Sequence, residues 1–120
     1  MIVFLGMIAL SGNANADVLT SVWAGQCSRP NHDDVDVTLV IHQERPANIF
    51  TGTLNGRALS QIIWNGTYKT LDFNSPGIYK DDPVVRHFSG QYTGNADTID
   101  GHLVQAEPDK HADCSLALQH

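Results

Sequence analysis

Apolar residues recur along this chain at every second position. The clearest run is Val35-Asp36-Val37-Thr38-Leu39-Val40-Ile41-His42. Val35, Val37, Leu39 and Ile41 fall on one face, and Asp36, Thr38, Val40 and His42 on the other. A period of two belongs to a strand, because successive side chains of a pleated backbone point to opposite sides. No long segment carries a helical period. Turn-forming residues arrive roughly every eight to twelve residues, which predicts an all-β barrel or sandwich. The pattern places strands at 18–27, 35–43, 48–54, 57–64, 67–73, 84–93, 97–105 and 114–119.

Asn55-Gly56 and Asn65-Gly66 suit two-residue hairpins, whose central residues need positive φ. Gly94-Asn95 is a third turn candidate. "NSPG" at 74–77 and "KDDP" at 80–83 bracket a longer loop. At Asn65-Gly66 the alternative is one continuous strand from Trp64 to Tyr68.

The cysteines, Cys27 and Cys114, help to fix the strand count. Eight meandering strands in a closed barrel make the first and last antiparallel neighbours. Cys27 ends the first and Cys114 begins the last, so the two side chains can meet. Seven strands would make that pair parallel and hold the cysteines a strand length apart, beyond disulfide reach. The expected fold is therefore an eight-stranded antiparallel up-and-down meander barrel closed by one disulfide, Cys27–Cys114. A β-sandwich-like barrel is the alternative.

Within the strands one motif recurs: a large residue, then glycine, then another large residue, each two apart. It occurs as Trp23-x-Gly25-x-Cys27, Phe50-x-Gly52-x-Leu54, Trp64-x-Gly66-x-Tyr68, Phe88-x-Gly90-x-Tyr92 and Ile99-x-Gly101-x-Leu103. Residues two apart share a face. The intervening side chains, among them Gln26, Thr51, Ser89, Gln91, Asp100 and His102, are small or polar and suit water. Glycine on the inner face lets a strand coil and leaves room for bulky neighbours. The aromatic residues then fill or line the interior.

The first ten residues, MIVFLGMIAL, are apolar, and Ala14-Asn15-Ala16 fits a signal-peptidase site before Asp17. Residues 1–16 are expected to be a signal peptide and 17–120 a single domain. The lack of Lys or Arg before the apolar run points to a start further upstream or to a wrongly chosen first Met. Export predicts a periplasmic or secreted bacterial protein, with no membrane insertion after cleavage. The formal charge of −6 makes nucleic acid an unsuitable partner.

"TGT" at 51–53, "FSGQY" at 88–92, the order of meandering strands and a Trp early in the first strand resemble the avidin and streptavidin group of calycin-type barrels. The resemblance implies an eight-stranded barrel with a ligand site inside one end. It does not imply biotin binding. Phe88 matches an aromatic position of that site, but Leu54 stands where a tyrosine is expected. Val84 and Arg86 replace a Ser/Thr pair, Leu103 replaces a tryptophan, and Gln119 or His120 stands where an aspartate belongs. A buried urea-like group would lose its hydrogen bonds there.

These readings converge on a binding protein for a small, partly apolar molecule. Trp23, Phe50, Trp64, Phe88 and Tyr92 are the expected lining, each offering aromatic surface. A filled barrel is the alternative; it would act through loops 28–34, 74–83 and 106–113 on an extracytoplasmic protein, for example as an enzyme inhibitor. An apolar outer stripe could also support homo-oligomers. A disulfide would draw the acidic, histidine-bearing loops 31–36 and 109–113 together. His32, Asp34, His111 and Asp113, with Asp33 and Asp109 nearby, then form a candidate metal set. No nucleophile elbow, catalytic triad context or phosphate-binding glycine loop is present, so neither enzyme activity nor a cofactor is expected.

Overall fold

The computed structural model describes residues 17–45, 49–76, 85–104 and 111–120. The expected signal peptide, the segment 77–84 and Asp109 lie outside the described residues. Those described contain nine strands: β1 (Asp17–Ser28), β2 (Val35–Arg45), β3 (Ile49–Leu54), β4 (Arg57–Ala58), β5 (Ser60–Asn65), β6 (Thr70–Ser75), β7 (Arg86–Thr93), β8 (Thr98–Val104) and β9 (Ala112–Gln119). They hydrogen-bond in the order β4-β3-β2-β1-β9-β8-β7-β6-β5, and the sheet curls into a nearly closed antiparallel barrel.

The count is nine and not eight because the expected strand 57–64 breaks at Leu59. β4 pairs with β3 at Thr53–Ala58 and Leu54–Arg57, whereas β5 pairs with β6. Leu59 N still donates to Gly52 O at 3.0 Å. Beyond it, Gln61 adopts φ 52°, and the β5–β6 register shifts between Ser60 and Ile63. This bulge falls where the ladder along β3 stops, so β5 pairs with β6 and not with β3. Asn74 Nδ2 donates to Gln61 Oε1 at 2.8 Å, which braces the unusual conformation. β4 and β5 run in the same direction along one broken path, so the parity argument survives. β1 and β9 are antiparallel neighbours, and Cys27 pairs directly with Cys114. The disulfide joins them, with Cα atoms 4.0 Å apart. It is consistent with an oxidising, extracytoplasmic setting.

Asn55 and Gly56 form the expected two-residue hairpin, with φ of 50° and 80°. The Asn65-Gly66 expectation needs correction, because residues 66–69 make a four-residue turn. Asn65 Oδ1 accepts from Thr67 N and Tyr68 N, each at 3.0 Å, and Lys69 takes the left-handed conformation at φ 57°. The side-chain amide draws the chain into the turn before a two-residue hairpin can close. Gly66 and Tyr68 are thus outside any strand. The turn at 94–97 is also four residues long, with Asp97 at φ 50°.

At the disulfide end the interior is filled. The Phe73 and Phe88 rings stack with centroids 4.6 Å apart and planes 11° from parallel. Leu39, Leu54, Leu103 and Leu116 are fully buried around them. Ser75 and Arg86, paired across β6 and β7, are buried polar residues at this end. The glycines explain how strand and ring fit together. A Cβ on Gly25 would lie 1.8 Å from Ser115 O on the neighbouring strand. On Gly101 it would lie 2.5 Å from Ser89 O and 2.6 Å from Phe88 Cζ, and on Gly90 2.5 Å from Phe88 Cε2. Glycine therefore admits both close backbone approach and the Phe88 ring.

Two stability outcomes follow. Replacing both cysteines by serine releases a closure spanning 87 residues and should cost about 2–5 kcal/mol in denaturant unfolding. Gly101→Ala should cost about 1–3 kcal/mol through overpacking. Gly66→Ala, whose Cβ would meet only Trp64 Nε1 at 3.6 Å, should stay within about 0.5 kcal/mol of the parent in the same measurement.

Candidate ligand cavity

The strand directions leave a second end, opposite the disulfide, where β1 begins and β9 finishes. Inward positions on β1 there are Leu19, Ser21 and Trp23; β2 adds Ile41 and Gln43. Phe50 comes from β3, Trp64 from β5, Leu71 from β6 and Ile99 from β8. With Thr20 at the rim they enclose a cavity of about 290 Å³. All of the lining side chains are uncharged. Ser21 Oγ accepts from Trp23 Nε1 at 3.1 Å, which fixes the indole and leaves the serine hydroxyl proton able to donate.

Tyr92 sets the width of this end. Its ring stands edge-on to Trp23, with centroids 5.9 Å apart, and to Trp64, at 6.1 Å. Such edge-to-face pairs match ring edge to ring face electrostatically. The Tyr92 hydroxyl donates to Asp97 Oδ1 at 3.0 Å. Asp97 is the left-handed residue of the 94–97 turn, and its carbonyl accepts from Leu118 N at 2.9 Å. The turn thus anchors Asp97, Asp97 holds Tyr92, and Tyr92 spaces the tryptophans.

Large apolar side chains remain exposed around the opening: Val18, Leu19, Ile49, Ile63, Trp64 and Tyr68. The wall is incomplete on one side. Ile49, Phe50 and Thr51 of β3 pair with β2, and no ladder pair joins them to β5 among the described residues. A groove of about 500 Å³ runs there, lined by Gln43, Phe50, Ile62, Ile63 and Trp64.

Of the aromatic residues expected at a site, Trp23, Phe50 and Trp64 line the cavity. Tyr92 stands behind the two tryptophans. Phe88 is 1% exposed, sits in the filled core against Phe73, and is not part of the cavity lining. Leu54 and Leu103, where the avidin resemblance would map ligand contacts, are buried in that filled half too. Sequence reasoning missed the other inward residues of the lining, Ser21, Gln43, Leu71 and Ile99 among them. Their inward facing was readable from strand period, but their height along the barrel axis was not.

The candidate metal set does not assemble. His32 lies against Arg29 Nη2 at 3.0 Å, while Asp113 Oδ1 contacts His102 Nδ1 at 2.5 Å. Asp34, Asp113 and His102 share a shallow outer groove with Gln26 and Asp100. Among the described residues, no group of three or more His, Cys, Asp or Glu side chains could hold a metal ion. His32 and Asp34 belong to the loop after β1, His111 precedes β9 and Asp113 lies on it, paired across the sheet with His102.

Comparison with family models, curated proteins and solved structures gives no significant match to this chain.

The Tyr92–Asp97 bond has a pH signature. The carboxylate accepting the phenol proton raises the Tyr92 pKa above its ordinary value of 10.0, with burial and the Asp97 charge adding to the effect. A folded-state value above the unfolded one stabilises the fold fully below about pH 10 and loses that contribution as pH rises through the folded value. Thermal melts at rising alkaline pH should show this loss, and Tyr92→Phe should remove that part of it.

Proposed function

We propose that this chain is an exported binding protein that holds a small, partly apolar molecule in the open end of its barrel. The observation that carries this reading is the uncharged, largely apolar cavity of about 290 Å³, lined by both tryptophans of the chain. Its size lies near the lower end of the ligand-pocket range, roughly 300–1,000 Å³. Apolar walls supply affinity through burial of ligand surface. Ser21, Gln43 and Thr20 supply a few polar contacts near the mouth, the usual division of labour in a small-molecule site. The apolar N-terminal run and the disulfide support delivery to a periplasmic or extracellular space. The site proposed here lies at the end away from Leu54 and Leu103, so it differs from the one that an avidin-like resemblance would imply.

Because both tryptophans lie at the cavity, intrinsic fluorescence should report its occupation. Screening small neutral ring compounds, such as cyclohexanol and phenol, should shift the emission in a saturable way. Trp64→Ala should then weaken binding about tenfold through lost aromatic contact, with little change in melting temperature. Phe88→Ala should instead cost about 3–5 kcal/mol of stability. Equal loss of stability in both variants, without any saturable ligand, would refute the reading.

A further inference from the structure

The gap in the barrel wall is continuous with the cavity. Gln43, Phe50 and Trp64 line both the cavity at the mouth and the groove between β3 and β5. Among the described residues, the backbone bond from Leu59 N to Gly52 O and the short β4 ladder join this side near the disulfide end. From there to the mouth, no ladder pair joins β3 to β5 among the described residues, and side chains of the two strands line the space between them. Ile62 and Ile63 continue the apolar surface outward, and Ile63 is 61% exposed.

Resting on the binding reading above, we infer that the site extends sideways through this gap, and that its occupant is an elongated, chain-like molecule uncharged along its buried length. A compact ligand would fill only the mouth. It would leave the Ile62 and Ile63 surface in water beside the bound molecule. A chain entering the mouth can pass Phe50 and Trp64 and emerge over Ile63. The charge argument is separate. No side chain lining either space is charged, so an ion held between the rings would lose hydration without gaining a partner. The bulge at Gln61 then has a role, since it holds the gap open at the cost of an unfavourable backbone conformation.

The test is a titration of the mature protein with straight-chain primary alcohols from hexanol to dodecanol, beside cyclohexanol, followed by tryptophan fluorescence. Once the mouth is filled, each further methylene should raise affinity about two- to fourfold. Ile63→Asp, a change at an exposed position, should abolish that increase and leave cyclohexanol binding unchanged. If cyclohexanol binds but affinity levels off along the series, the lateral extension is wrong and the binding reading stands. If the increase persists undiminished in Ile63→Asp, the chain does not leave by this route and the inference fails. If no neutral compound binds, compact or extended, both readings fall.

Discussion

The register between β1 and β9 is the constraint on which the barrel depends. These strands come from opposite ends of the domain, and their pairing turns a meandering ribbon into an enclosure. Cys27 opposite Cys114 locks that register covalently. A slip by one residue would turn every inward side chain of one strand outward. Trp23, Gly25 and Cys27 would then exchange places with residues suited to water. The locked register also places Gly25 beneath the backbone of β9, where no other residue fits.

From that closure follows a molecule with two unlike ends. Near the disulfide, Gly90 and Gly101 give up their side-chain volume to the Phe88 ring, and the interior packs solid. Toward the mouth, Tyr92 holds two large rings edge-on to its own, and the space between the walls stays open. The same motif, aromatic–x–glycine, therefore serves filling at one height and lining at another. What differs is the neighbours. Phe88 has a stacking partner and paired glycines beside it, whereas Trp23 bonds to Ser21 and faces the cavity.

The sequence made the fold class legible because strand period and turn chemistry are local properties. Val35 to Ile41 could only alternate, and Asn55-Gly56 could only turn tightly. The disulfide was legible because parity of the strand count is topological and tolerates a broken strand. The break itself was not, since glutamine at 61 carries no composition signal for left-handed backbone. Nor could the sequence separate Phe88 from Trp23, because facing inward does not reveal height along the axis. The cysteines draw the loops of His32 and His111 to one rim, yet which neighbour each side chain takes is set locally: His32 meets Arg29 of its own loop, and Asp113 meets His102 across the sheet.

The connectivity also orders events during folding. Pairings along the meander join strands that are neighbours in sequence, so their loops close rapidly. The β1–β9 pairing alone must bring together residues 87 apart, and it cannot form until the last strand exists. Oxidation of the cysteines is therefore tied to the final act of assembly. A cell making this protein has to present its oxidant to a chain synthesised past β9, because on a shorter one the first thiol has no mate.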